Sequence, residues 1–574
     1  MTHLADVRSD PASPPPVSGG TRGLLRWVCT SNPFYVLSAL LVCLGLWVSF
    51  GGQVVAAQTW ALLSGMAGYT LLLAVTACLL VRFVGVWDDV RTVLLLVVLM
   101  FLATSVTFDE VLARDPQRGV ICFLGGLLFA VAVSEGMLRG MPLTLPSLFR
   151  VPYYLILALF FLYPVAITPL LDQPRSESLF WSLFGFSPAA GLVALTLVPA
   201  ARRGRDYVRD NGSPWRWAWY PWTLFGLLGL AVPARSALLC WSMHHVASGS
   251  TEPYIFGPYF LAPFLLGVGV LLLEIGLVER LKGVLVAAMS LPAVLVALAL
   301  VAHRPEEFYQ VFLAQFTTRL GGTPLYLTLI ASATFYAYAA LRRVPAATEA
   351  LSAALAGLAI VAPQTLDLDA MVSPRPLPIL AVAILQLGLG LRKRVAWRCL
   401  VGACFLAAFA TIGLPGTGSG AHRGPVAFHL ILVAILILGA VFNDSLGRLL
   451  RTLGAATALV GCLVVLSGRL GRIEAVPAWA MEVYPLVIAA TIAGYGLMLH
   501  HRTSLMIAGI TLSSWLVVLG WRGYSSARQV VAGLDYLAIG MILFALAVLT
   551  SVFKGGVMPR GFGVRKGKLP DSVD

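Results

Sequence analysis

Residues 92–108 read TVLLLVVLMFLATSVTF, without a single charged side chain, bounded by Asp88, Asp89 and Arg91 before and by Asp109 and Glu110 after. Wound as an α-helix at about 1.5 Å per residue, such a stretch covers most of the ~30 Å hydrocarbon core of a bilayer. A helix on the surface of a water-soluble protein would carry a polar stripe. This one carries none.

The pattern recurs outward in both directions. Of the 574 residues 59% are hydrophobic and 11% charged, against about a quarter charged in a soluble chain. Mean hydropathy is +0.87, too high for a globule of this length to cover itself with polar surface. A window of about twenty residues picks out eighteen stretches. Nine lie at 33–50, 58–81, 92–108, 118–138, 151–171, 178–200, 217–239, 254–276 and 283–302. Nine more lie at 322–341, 350–366, 377–391, 396–413, 425–442, 452–468, 480–499, 503–520 and 533–553. The reading is an all-α, polytopic transmembrane helical bundle of about 18 spans.

Charge orders these spans, because cytoplasmic loops retain Lys and Arg. With the N-terminus inside and strict alternation, 28 of the 40 basic residues fall inside and 12 outside. The inner set includes Arg202, Arg203, Arg205, Arg209 and Arg216, Arg342 with Arg343, and Arg392, Lys393, Arg394 and Arg398. One missed span would invert every later loop, so the asymmetry favours N-in, C-in. The formal charge of +14 is thus spread between spans, where it meets anionic lipids at the inner face. A nucleic-acid site would gather it on one folded surface.

The expected organisation is a disordered cytoplasmic tail at 1–32, a first membrane half at 33–302, an outer connection at 303–321, a second half at 322–553 and a basic cytoplasmic tail at 554–574. Residues 1–20 are polar and proline-containing, unlike a signal peptide. No connection approaches the fifty residues of a folded domain, which places any activity in the bilayer or at its surface. Two sets of nine spans suit an inverted pair, yet no residue pattern matches between them. The preference for Arg over Lys, 35 against 5, points to a bacterial plasma (inner) membrane.

Several motifs have plain explanations. Trp215, Trp217, Trp219, Tyr220 and Trp222 read as an interfacial aromatic anchor. Gly416, Gly418 and Gly420 lack the Lys and Ser/Thr of a phosphate loop, and the LPGTG at 414–418 lies too far from a C-terminus for a sorting signal. Asp367 and Asp369 resemble a metal-binding pair but read as a hydrated loop. The eight cysteines lie in or beside apolar runs as small hydrophobes, and no metal-ligand spacing appears. Glu135 and Glu274, on the inner side, are expected to snorkel or to pair with basic loop residues rather than to relay protons.

The remaining signal is collective. Asp109, Glu110, Arg235, His244, His245 and Glu252 all fall at outer span ends, where an embedded charge costs free energy unless paired or hydrated. Arg235 follows Pro233 and precedes an apolar run, so it requires a carboxylate or an anionic ligand. Pro164, Pro188, Pro221, Pro233, Pro258 and Pro263 concentrate in spans five to eight, each removing a backbone hydrogen bond, and broken helices line cavities in membranes. These features define a candidate outer pocket. In it Arg235 suits a phosphate or carboxylate, His244 or His245 suits proton transfer, and Glu252 or Glu110 suits orienting the histidine. The class this favours is a transporter or permease. A membrane-embedded transferase acting on a lipid-linked substrate at the outer face and a membrane scaffold are the alternatives. Cofactor and substrate are left open by the sequence, and so is catalysis itself.

Overall fold

The computed structural model describes residues 33–50, 56–171, 176–217, 219–246, 255–300, 307–363, 374–413, 423–467, 478–530 and 533–554. It is 87% helix with no strands among those residues, as an apolar chain requires when every backbone polar group must be satisfied within its own segment. Among the described residues fourteen helices are long and apolar enough to cross a membrane. Four shorter apolar helices, Phe34–Leu46, Ala347–Ile360, Ala396–Ile412 and Ile539–Val548, fall in the first, eleventh, thirteenth and eighteenth of the stretches read from the sequence. The chain divides into two compact units, Met1–Pro378 and Ile379–Asp574.

The first unit holds α1 (Phe34–Phe50), α2 (Ala56–Leu79), α3 (Asp88–Arg114), α4 (Pro116–Gly140), α5 (Ser147–Ile167), α6 (Glu177–Leu195) and the short α7 (Val198–Arg203). It continues with α8 (Trp222–Cys240), α9 (Ala262–Val278), α10 (Lys282–Leu300), α11 (Glu307–Leu320), α12 (Pro324–Leu341) and α13 (Ala347–Ile360). Consecutive helices from α2 to α6 pack against one another; α9 then packs on α6, α10 on α9, and α12 on α10. The α6–α9 contact is close because two glycines face each other. A Cβ on Gly191 would meet the Pro263 carbonyl at 2.6 Å, and one on Gly267 would meet the Gly191 carbonyl at 2.6 Å. Small residues of this kind let backbones approach where no hydrophobic force drives helices together. The step out of sequence is α8, which packs on α3 and α6 and carries Arg235 to the site.

Loops that the charge pattern assigns to one side meet at one end of this unit. Thr144 N–H donates to Asn211 O at 2.9 Å, and Arg202 and Arg342 both reach Glu274. At the other end Arg319 pairs with Glu177. The 303–321 connection is more than a loop. Its helix α11 buries Tyr309, Phe312, Leu313 and Phe316, spaced along one helical face, against Trp181, Phe184 and Phe256. Arg319 also lies over the Trp181 ring at 5.7 Å.

The second unit takes most of α14 (Pro376–Lys393), then α15 (Ala396–Gly413), α16 (Arg423–Val441), α17 (Ser445–Leu466), α18 (Ala478–Met498), α19 (Arg502–Arg528) and α20 (Leu534–Lys554). Asp444 caps α17 by accepting from Gly447 N–H at 2.7 Å, an ordinary N-cap. Arg451 of α17 donates to the Gly439 and Phe442 carbonyls at 2.6 and 3.3 Å. It thereby satisfies the carbonyls that α16 leaves open at its C-terminus.

Candidate functional site

A proline and an arginine explain each other here. Pro164 lies inside α5 and has no N–H, so the carbonyl four residues earlier, that of Phe160, loses its helical donor. Arg235 Nη2 donates to that carbonyl at 3.3 Å. The same guanidinium grips Asp109 in a bidentate pair: Nη2 donates to Oδ1 at 2.8 Å, and Nη1 donates to Oδ2. Both side chains are 0% exposed. Three helices, α3, α5 and α8, are thereby tied through one planar fork, the geometry for which Arg is suited.

The walls are aromatic. Phe108, Phe123 and Phe161 form an edge-to-face triangle, with ring centroids 5.4 to 6.3 Å apart. Removing water strengthens the Asp109–Arg235 attraction while raising the cost of leaving either partner alone. The polar inventory does not close, however. Arg235 Nε, Ser236 Oγ and Ser187 Oγ are buried without hydrogen-bond partners among the described residues. Ser236 follows Arg235 on α8 and points about 100° away from it, and Ser187 sits on α6, which packs against α8; the spare donor at the pair itself is Arg235 Nε. A buried site with spare donors and acceptors has the chemistry to accept a polar guest.

The other expected site residues divide. His244 is buried in the π-helical turn Trp241–Val246 that follows α8, with its ring edge-to-face against Phe180 at 5.7 Å. Glu110, although next to Asp109, faces outward and pairs with Arg114 one turn on, both about half exposed. Helical geometry separates such neighbours by about 100°, which removes Glu110 from the pocket. The backbone of His245 belongs to the Trp241–Val246 turn; its side chain and the whole of Glu252 lie outside the described residues. Asp367, Asp369 and the glycines at 416, 418 and 420 also lie outside them.

The opposite end of the same unit holds a different kind of charge cluster. Glu274, 0% exposed, receives Arg202 Nε at 3.1 Å, Arg202 Nη2 at 3.3 Å and Arg342 Nη2 at 3.0 Å. It also accepts from the Tyr338 hydroxyl, which in turn receives Arg202 Nη2 at 2.9 Å. Glu135 repeats the construction with Arg150, Tyr154 and, at 3.9 Å, Arg139. The pairing expected for both glutamates is present.

The tryptophan cluster does more than mark an interface. Trp215 packs on Trp87 at 5.3 Å, Trp222 on Phe149 at 5.4 Å, and Arg91 lies over Trp219 at 4.4 Å. Behind them is an apolar cavity of about 80 Å³, lined by Met137, Leu138, Met141, Tyr153, Trp219 and Tyr220 among others. In the second unit a wider cavity of about 550 Å³ lies along α16, α17 and α18. Its polar feature is His429, whose Nε2 and the Tyr484 hydroxyl are 3.0 Å apart.

Sequence reading located Asp109 and Arg235 but missed three things. The role of Pro164 was legible only as a kink, because the donor that replaces its missing N–H comes from Arg235, 75 positions from the Phe160 carbonyl it meets. Ser187 and Ser236 carry no signal by themselves. Helix α11 did carry one, since Tyr309, Phe312, Leu313 and Phe316 follow the i, i+3, i+4, i+7 spacing.

No protein-family model, curated protein sequence or solved structure matches this chain. The many apolar helices are compatible with a multi-pass membrane protein.

Proposed function

We propose that this chain is a transporter or permease of the bacterial plasma (inner) membrane, with eighteen spans and both termini in the cytoplasm. Arg235 is the anion-binding group of its closed state. One observation carries the reading: a bidentate, wholly buried Asp109–Arg235 pair beside proline-interrupted helices, with Arg235 Nε left without a partner among the described residues. A buried ion pair is a poor way to gain stability, since apolar residues of equal volume do as well or better. Ionisable groups at membrane depth mark function by default. In the proposed cycle an anionic solute displaces Asp109 from the Arg235 fork through its own carboxylate or phosphate. Asp109 is then left without its cation and takes up a proton. His244, buried nine residues on from Arg235 in the turn that extends α8, is the candidate proton carrier.

A transferase working on lipid-linked substrates requires a groove from the lipid to Arg235. The complete burial of Arg235 and Asp109 weighs against that reading.

The test is reconstitution of the full chain in liposomes enclosing a pH-sensitive dye, with succinate or inorganic phosphate added outside under an inward proton gradient. Wild-type vesicles are expected to acidify with one of these probes, and vesicles bearing D109N or R235Q are not. Acidification indistinguishable from protein-free vesicles with both probes overturns the proposal.

A further inference from the structure

Glu274 brings one negative charge to a point where two positive charges meet. Arg202 Nε and Arg342 Nη2 both lie about 3 Å from its Oε2, so two guanidiniums share a single carboxylate oxygen. One carboxylate neutralises one of them and leaves a full positive charge over. The carboxylate is 0% exposed, whereas Arg202 and Arg342 are 51% and 39% exposed. The cluster therefore presents cation outward and anion inward. Neither Nη1 group has an acceptor among the described residues, and neither does Arg342 Nε. Nearby segments reinforce the sign: over 201–206, 274–282 and 342–343 there are seven basic side chains against three acidic ones. The Glu274 and Tyr338 contacts fix the orientation of Arg202, so less side-chain freedom is lost when a further ligand binds.

We propose that Arg202 and Arg342, oriented by the buried Glu274, form a binding site for a phosphate oxyanion, presented by an anionic phospholipid headgroup or by a free phosphate compound. Phosphate accepts two parallel N–H bonds from a guanidinium fork. Basic pockets between spans at the headgroup level are suited to anionic lipid heads. The site is independent of the Arg235 reading and lies at the other end of the unit.

The full chain, purified in detergent and delipidated, is titrated with phosphatidylglycerol, phosphatidylcholine and inorganic phosphate, with bound ligand counted by native mass spectrometry. The R342Q variant removes the surplus positive charge and leaves Glu274 paired with Arg202. It is expected to weaken phosphatidylglycerol about five- to tenfold and to leave phosphatidylcholine unchanged. E274Q alone raises the charge of the cluster by one, while the amide oxygen that replaces the carboxylate still accepts from the arginines at the same place; it is expected to bind more tightly. Inorganic phosphate that competes with phosphatidylglycerol, or binds in its place, assigns the site to soluble phosphate. Wild-type binding of both anionic probes by R342Q overturns the proposal. If that variant does not fold, binding by E274Q that is unchanged or weaker overturns it equally.

Discussion

Two arginine–carboxylate sites at opposite ends of the first unit use the same chemistry in opposite ways. At Asp109–Arg235 one cation meets one anion, both wholly buried, and the balance is neutral. At Glu274 two cations meet one anion, and the cations keep about half their surface. The difference is dielectric. A sealed pair is strong only while complete, because either partner alone carries its full desolvation cost. A pair whose cations are about half exposed is rehydrated when broken and screened by salt. Neutral and dry suits a latch, and cationic and wet suits a surface that receives anions.

This contrast can be broken most sharply at the latch. R235L strands Asp109 and is expected to cost about 3–5 kcal/mol, read as a large loss of thermal stability in detergent. The double variant D109L/R235L is expected to recover most of that loss while remaining inactive in the liposome assay. If it stays as unstable as R235L, the pair is a structural tie and not a latch.

Next in size is the glycine contact that sets α6 against α9. G191A puts a methyl group 2.6 Å from a backbone carbonyl, which no side-chain rotation relieves. A loss of about 1–3 kcal/mol is expected, again by thermal unfolding. G226A, where a Cβ meets nothing within 4 Å, is expected to show no loss, and equal effects at the two positions would rule out the close-packing account.

The smallest effect sharpens the comparison from the wet side. E135Q leaves Arg150 and Arg139, which are 48% and 83% exposed, free to hydrate. A cost of at most about 1 kcal/mol is expected, vanishing at molar salt, where the screening length is about 3 Å. The R235L loss is expected to persist at the same ionic strength. A salt-insensitive E135Q would show that the two ends are not distinguished by hydration.

Legibility followed the range of the interaction. The need of Arg235 for a partner was readable from its apolar surroundings, because burial of a lone charge is forbidden locally. Its choice of Asp109 over Glu110 was not. Adjacent residues on a helix point about 100° apart, and only the packing of α8 on α3 selects between them. Glu274 and Glu135 were readable as partners of basic loop residues, yet nothing local indicated that each would gather more than one cation. The α11 periodicity was present and was eclipsed by the stronger apolar runs on either side.

By itself the sequence determined that the chain is helical and membrane-seeking. It also determined where most of the apolar helices fall, α11 apart, because length and hydropathy act segment by segment. The tertiary structure alone decided which helices touch. Without a hydrophobic drive between spans, that choice rests on steric fit and on individual polar contacts. Gly191 against Gly267, the Pro164-freed carbonyl meeting Arg235, and two arginines converging on Glu274 each join residues more than sixty positions apart.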